Sequence, residues 1–387
     1  MKTNNILKEI NTSGKPYIIY KTSKGFDLFT NFSKKIILSR NNVVNFLKKN
    51  NSNRKKLKKT DLYIGFFGYE LLNNLININL PKQKSNNFPK GIFYKPETLI
   101  SLNKNILYQS QMIERKISKF KININKKIYT KIFDKFKEKI KKGETYQIKI
   151  CTKYKNKSKI DPLDYFCRLT KSNLAPEAFL IKDKDYSIIS CSPETLILKK
   201  GRSISTKPIA GTLKKNKLLN RKKALEFFKK NIKETKEHNM IVDMERNDLS
   251  RICVPGSVKI TKEKKVEEYK HLFHYVSLIK GKLKNNIKTI DIIKSMMPGG
   301  SVIGCPKIST LNLLNNQEKE NRNIYTGSFG YIKFNGDMRF NIIIRSILNF
   351  KDVSEISVAS GVVIDSNSNH EFNENFIKAK ALMDLYK

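Results

Sequence analysis

KETKEHNMIVDMERNDLSR, residues Lys233 to Arg251, is the segment from which the other motifs of this chain take their meaning. Leu225, Phe228, Ile232, Ile241 and Met244 recur at roughly helical spacing through and before it, which ties a predicted helix into a core. Glu234 and Glu237 are three apart and so share one face of that helix. Alone, such a pair is usually a solvated edge. A second pair with the same spacing, Glu371 and Glu374, stands in another predicted helix, EFNENFIKAKALMDL, where Lys378 continues the face. Four carboxylates converging from two helices would repel one another unless a cation lay between them. Oxygen donors without a His or Cys partner favour magnesium over zinc.

The chain has 387 residues, with 77 Lys and Arg against 34 Asp and Glu, a formal charge of +43. Taken alone, that charge suggests nucleic acid or an anionic membrane as partner. Lysine is instead dispersed along the whole chain together with Asn and Ile, and Trp is absent. The pattern fits a generally basic surface that attracts anionic metabolites, with no dedicated nucleic-acid site. Cys151, Cys167, Cys191, Cys253 and Cys305 are scattered and odd in number, and none forms a Cys-x-x-Cys pair. This argues against a disulfide framework or structural zinc and for a reducing compartment. MKTNNILKEINTSGK lacks the apolar core of a signal peptide, and no segment approaches a membrane span. The expectation is a cytoplasmic protein without a membrane partner.

Along the chain, the basic run Arg54 to Lys59 reads as a solvated loop. DLYIGFFGYELLNNL follows, and its Gly65 and Gly68 suggest a strand packed closely on a neighbour. Pro81, Pro89 and Pro96 punctuate the next stretch, ETLISL resembles a strand, and 110–125 is the candidate boundary. IYTKIFDKFKEKIKKG is a predicted helix closed by Gly143. TYQIKICTKY alternates as a strand, with Gln147 and Lys149 on one face. Further strands are predicted in AFLIKD, YSIISCSPETLILKK and SISTKPIAGT, a helix in YKHLFHYVSLIKG, and a hairpin around Asn335-Gly336 in GSFGYIKFNGDMRFNIIIRSIL. Strand clusters and helices without regular βαβ alternation favour an α+β fold.

The loop Gly299 to Lys307, GGSVIGCPK, has the glycine spacing of a nucleotide-binding loop. Cys305 and Pro306 stand where Lys and Ser/Thr are required, which excludes that function. What remains is a backbone loop carrying Ser301 and Lys307, suited to anionic oxygen atoms. His370-Glu371 starts like a zinc-protease motif but lacks the second His. Glu194 follows a proline at the end of an apolar strand, as turn carboxylates often do, and His274 has the setting of a core-edge histidine. Tyr325 and Arg345 fall in separate predicted strands. An arginine after three isoleucines, Ile342 to Ile344, requires an anion if it is buried.

Many ordered blocks, GETYQIKI, CSPETLIL, KPIAGT, KEHNMIVDMERNDLSRICVPGSV, YKHLFHYVS, PGGSVIGCPK, YTGSFGYIKFNGD, NIIIRS, ASGVVID and HEFNENFIKAKA, together resemble the chorismate-utilising enzymes. These are the large synthase subunits of anthranilate and aminodeoxychorismate formation and the isochorismate and salicylate synthases. The resemblance runs from about residue 125 to the end, and more weakly through GFFGYEL. It implies a sandwich of two antiparallel β-sheets flanked by helices, with 121–387 as catalytic domain and 1–120 packing on it. It also implies a magnesium-dependent chorismate site. Glu237 and Glu374 match the direct metal ligands, and Glu234 and Glu371 match those acting through water, in keeping with the waters magnesium retains. Tyr325 and Arg345 would hold the enolpyruvyl carboxylate, while Ser301, Gly361, Lys378 and the block Ala210-Gly211-Thr212 complete the pocket. Glu194 matches the acid that protonates the departing 4-hydroxyl, a role served by a raised pKa. His274 matches the pocket histidine linked, in anthranilate formation, to pyruvate loss.

Gln147 bears on the branch. Relatives that add water carry a lysine base at its place, whereas ammonia brings its own lone pair, so glutamine points to amination; Lys149, on the same strand face, complicates that assignment. Ala210 stands where many aminodeoxychorismate synthases carry a nucleophilic lysine and is typical of anthranilate synthases. NLAPEAF, PGGSVIG and FNIIIRS resemble the aminodeoxychorismate branch, and the short N-terminus lacks the Leu-Leu-Glu-Ser element of feedback-regulated anthranilate synthases. The expected activity is therefore amination of chorismate to 4-amino-4-deoxychorismate, with anthranilate formation as the alternative and isochorismate formation less favoured. No glutaminase nucleophile motif is present, so ammonia is expected from a separate glutamine amidotransferase subunit.

Overall fold

The computed structural model describes residues 3–48, 56–78, 86–106, 108, 110, 118–216, 218–269 and 272–387. Arg54 and Lys55 of the basic run, Pro81, Lys270, His271 and the 111–117 part of the candidate boundary lie outside the described residues. The chain opens with α1 (Thr3–Thr12), β1 (Tyr17–Lys21), β2 (Phe26–Ile37), α2 (Val43–Lys48), β3 (Leu62–Phe67), α3 (Tyr69–Leu75), β4 (Gly91–Leu102) and β5 (Lys121–Ile122). It continues through α4 (Lys126–Lys141), β6 (Gln147–Lys157), α5 (Pro162–Asn173), β7 (Glu177–Lys182), β8 (Tyr186–Ser192), β9 (Thr195–Lys200), β10 (Ser203–Lys207) and β11 (Ile209–Lys214). Then come α6 (Arg221–Lys230), α7 (Ile232–Ile252), β12 (Lys259–Glu268), β13 (Leu272–Lys282), α8 (Thr289–Met296), β14 (Gly304–Cys305) and α9 (Lys307–Gln317). The last elements are β15 (Ser328–Lys333), β16 (Met338–Asn341), β17 (Ser346–Phe350), β18 (Val353–Val362) and α10 (Ser368–Met383).

Local chemistry accounts for most element ends. Asn125 caps α4 by accepting from the Ile128 N–H, and Tyr129, Phe133, Phe136 and Ile140 form its buried stripe. Gly143 follows in the left-handed conformation expected of a helix stop. Asn231 ends α6 and caps α7 by accepting from the Glu234 N–H, so the predicted single helix is two. That break leaves Ile232 at 69% exposure, outside the apolar stripe assigned to it, while Phe228, Ile241 and Met244 are buried.

Among the described residues every strand pairing is antiparallel and the strands form one hydrogen-bonded sheet. Its order runs from β13, flanked by β11 and β12, through β10, β9, β16, β15, β3, β4, β2, β1, β7, β8, β17 and β18 to β6. Strands from residues 1–120 and from 121–387 thus share hydrogen bonds at β1–β7 and β3–β15. The two halves of the sandwich are one continuous curled sheet. Aromatic and branched side chains fill the space between the halves, with Phe179 stacked on Phe329. Helices α2, α7 and α8 pack on one half, and α1, α5 and α10 on the other.

Three expectations differ here. YKHLFHYVSLIKG supplies strand β13 rather than a helix, because neighbouring strands cover both its edges and both its faces are buried, which erases the alternation that marks a half-exposed strand. The hairpin at Asn335-Gly336 is present, but its second strand stops at Asn341, and Ile342 to Arg345 are not strand. Pro96 does not interrupt β4; it sits where the β2 register shifts between Phe32 and Lys34. Gly65 behaves as anticipated: it faces Gly330 across β3 and β15, and a Cβ on it would lie 2.0 Å from the Ile92 carbonyl oxygen.

Glu177 of β7 ties the two halves together. It is fully buried and accepts from Arg339 Nη2 at 2.6 Å, from Tyr20 Oη at 2.6 Å and from the Thr195 hydroxyl. Arg339→Met leaves a buried carboxylate with hydroxyl partners only. The expected loss of stability is about 3–5 kcal/mol, read as a lower urea midpoint at unchanged m.

Candidate active site

The site is built from the first turns of α7 and α10, the start of β6 and the loops ahead of β9, β15 and β17. Gln147 and Lys149 share a face of β6, as the alternation required, and both reach one oxygen of Glu237. The Gln147 Nε2 and Lys149 Nζ distances to Glu237 Oε1 are 2.8 and 2.9 Å. Gly361 pairs with Lys149 across β18, and a Cβ there would come within 2.7 Å of Lys149 Nζ and 2.8 Å of Gln147 Nε2. A side chain at 361 would displace the ends of Lys149 and Gln147 from where they meet Glu237. Burial disfavours the charged lysine, but Glu237, and behind it Glu374 and Glu371, outweigh this and hold the Lys149 pKa above its ordinary value. Burial likewise opposes ionisation of Glu237, yet Lys149 and Gln147 bring its carboxyl down to about 2.

On α10, Glu374 pairs with Lys378 at 2.6 Å. Burial raises the Glu374 carboxyl, Lys378 and Lys149 bring it below its ordinary value, and Glu237 acts on it in opposition. Glu371 is buried and accepts from Ser366 Oγ at 3.1 Å. Among the described residues, His370, Glu371 and Glu374 present ligand atoms all within 4.8 Å of one another. Glu234 turns toward the 210–212 segment, its Oε2 lying 2.9 Å from where a Cβ on Gly211 would stand. Three carboxylates (Glu237, Glu371 and Glu374) against two ammoniums (Lys149 and Lys378) leave a formal charge of −1, with Glu234 standing apart beside Gly211. That residual charge and the oxygen donors suit a divalent cation. His370 has no second histidine after it to make a zinc-protease motif, yet the first turn of α10 places it beside the carboxylates.

Glu194, between β8 and β9, is buried and accepts from Ser301 Oγ at 2.8 Å. Burial drives its pKa to about 7, against the lowering effects of Ser301, the Ile209 backbone, Lys149 and Arg345. Arg345 is half-buried in the bend before β17 with φ +51°, and Tyr325 is buried in the turn before β15, so the expected strand placement of both is corrected. Burial lowers the Arg345 pKa, and Cys191, Glu194 and Tyr269 support its charge. Lys307 does not line the glycine loop for a ligand: its Nζ is taken by Asp248 and by the Ser295 carbonyl oxygen at 3.1 Å.

His274 faces Thr212 across β13 and β11, beside buried Ala210 and Gly211, whose φ is +81°. Burial, followed by Arg345, takes its pKa down to about 3 despite a backbone hydrogen bond at Gly211. The imidazole is therefore neutral at physiological pH. Two further buried acids escaped the sequence reading: Asp248 and Glu245, the latter raised to about 8 by burial and by the Asp248 charge. Both sit on α7 within ERND, where charge beside helix residues reads as surface. Nitrogen NMR of labelled histidine should show the His274 ring neutral throughout pH 5–8; a titration midpoint near the usual value of about 6.5 would contradict this environment.

The model of the chorismate binding enzyme family matches residues 6–384, and the chain belongs to that family. It is 36% identical over 255 residues to aminodeoxychorismate synthase component 1 of Bacillus subtilis, covering 66% of this chain and 54% of that protein. It is 32% identical over 372 residues to anthranilate synthase component 1 of Buchnera aphidicola subsp. Pemphigus spyrothecae, covering 85% and 71%. The chain thus spans about half the length of the first relative. The crystal structure of anthranilate synthase component I from Streptococcus pneumoniae superposes with a TM-score of 0.76 at 24% identity, over 95% of this chain and 90% of that one. Among the described residues no helix is long and apolar enough to cross a membrane.

Proposed function

We propose that the chain aminates chorismate to 4-amino-4-deoxychorismate with magnesium, using ammonia from a separate glutamine amidotransferase subunit. The observation that carries this reading is the buried Glu194, held by Ser301 with a pKa of about 7. Such a group keeps its proton near neutrality and can release it to a leaving oxygen. The nitrogen of ammonia forms the new C–N bond, the C–O bond to the 4-hydroxyl breaks, and that hydroxyl leaves as water with the Glu194 proton. The surplus proton of the ammonium formed returns to Glu194. Glu237 and Glu374, with Glu234 and Glu371 behind them, would hold magnesium, which would supply positive charge for the ring carboxylate. Arg345 and Tyr325 take the enolpyruvyl carboxylate, and Gly361 and Lys378 bound the ring.

The state of Lys149 supports amination over water addition. Its Nζ is committed to Glu237 as an ammonium, so it has no lone pair for activating water, and Gln147 has none to offer. Ammonia needs no such base. The aminodeoxychorismate assignment draws on NLAPEAF, PGGSVIG and FNIIIRS and on the Bacillus relative. Anthranilate formation is the second reading, favoured by Ala210 and by the anthranilate synthase relatives.

Incubation with chorismate, magnesium and ammonium, with products resolved by mass and fluorescence, should yield aminodeoxychorismate without pyruvate. Fluorescent anthranilate with pyruvate would replace that product assignment, and isochorismate would exclude both aminations. With Glu194 as the acid, kcat should fall about tenfold per pH unit above pH about 7, because the protonated fraction is lost there. Glu194→Gln should abolish that limb along with most of the activity, and a pH profile of the same shape in the variant would exclude Glu194. Magnesium should raise the thermal midpoint of the wild type and have little effect on Glu237→Gln; an equal rise in both would remove Glu237 from the ligand set.

A further inference from the structure

We propose that Arg322 is a positioning residue for this site, a single guanidinium that locks the turn bearing Tyr325 to the strand bearing Lys149. Arg322 is 1% exposed and is among the largest fully buried side chains of the protein. Its Nε donates to both oxygens of Glu318 at 3.0 Å, and Nη2 donates to Glu318 Oε1 at 2.6 Å. That fork settles the charge. Two further donations reach the site itself: Nη2 to the Lys149 carbonyl oxygen at 3.3 Å, and Nη1 to Thr326 Oγ1 at 3.2 Å. Thr326 Oγ1 in turn donates to the Tyr325 carbonyl oxygen at 2.6 Å. The guanidinium carbon also lies 4.6 Å from the Tyr69 ring centroid and 6.0 Å from that of Tyr325.

The same turn is held from below by the GFFGYEL segment. Glu70 is buried and its Oε1 accepts from the Arg322 and Asn323 N–H groups at 2.6 and 3.4 Å, while the Tyr69 N–H donates to the Asn323 carbonyl oxygen at 2.9 Å. An ion pair kept only for stability would need one good partner, and a buried pair is often no more stabilising than packed apolar groups. What arginine adds is a planar fork that can satisfy Glu318 and still touch two separated elements. Those elements carry opposite ends of the site: Tyr325 at the proposed carboxylate end, and Lys149 at Glu237. A lysine has one charged nitrogen and cannot span the three partners.

This inference rests on the chorismate reading, and the test separates the two. Steady-state kinetics with chorismate, magnesium and ammonium are measured for wild type, Arg322→Lys and Thr326→Val, each beside its thermal midpoint. Wild-type turnover tests the reading itself. If wild type turns over, Arg322→Lys should raise the KM for chorismate about tenfold or more with a smaller change in kcat, although the positive charge is kept. A lower thermal midpoint with unchanged KM would overturn the positioning role and leave Arg322 a structural ion pair. Thr326→Val removes only the Nη1 acceptor and its bond to Tyr325, and decides the matter if the lysine variant does not fold. A KM rise of about threefold or more sustains the proposal, and wild-type KM defeats it.

Discussion

A carboxylate withdrawn from water keeps its charge only where cations or donors replace the solvent. Glu237 meets that condition through Lys149 and Gln147, two side chains on one face of one strand. The contact joins β6 to α7, sits against Gly361 of β18, and holds Glu237 ionised and Lys149 charged. Lys149 and Lys378 occupy the acidic cluster without neutralising it, so the cluster holds together and retains negative charge.

The same protein interior treats two glutamates in opposite ways. Glu194 has only a hydroxyl and a backbone group against it, with cations further off, and burial takes its carboxyl to about 7. Glu237 is bonded directly to an ammonium and lies at about 2. One group is thereby suited to hold a proton and the other to hold a cation. Separation of paired acids by environment is how one site performs both acid and anionic tasks at neutral pH. His274, neutral beside Arg345, contributes a polar ring without charge.

The curled sheet makes these meetings possible. Its two ends carry β6 and β13, with α7 and α10 supplying carboxylates toward them, and its interior is closed by aromatic packing and by Glu177 with Arg339. Strands from both parts of the chain interleave, which is why Glu70, early in the sequence, supports a turn some 250 residues later.

Much was legible in the residues alone. The i,i+3 glutamate pairs lie on the predicted helices, Gln147 and Lys149 share the predicted strand face, and Gly65 and the Asn335-Gly336 turn behave as their chemistry requires. Period and turn chemistry are local properties, so the sequence determined them. The strand at His274 was misread because burial on both faces removes periodicity, and Tyr325 and Arg345 were placed in strands because apolar neighbours do not distinguish a buried turn from a buried strand. The commitment of Lys149 to Glu237, of Lys307 to Asp248 and of Arg322 to three partners was decided only in the tertiary structure. Lys149 with Glu237, Lys307 with Asp248 and Arg322 with the Lys149 carbonyl join residues 88, 59 and 173 positions apart, and the charge each group carries depends on how deeply the finished fold buries it.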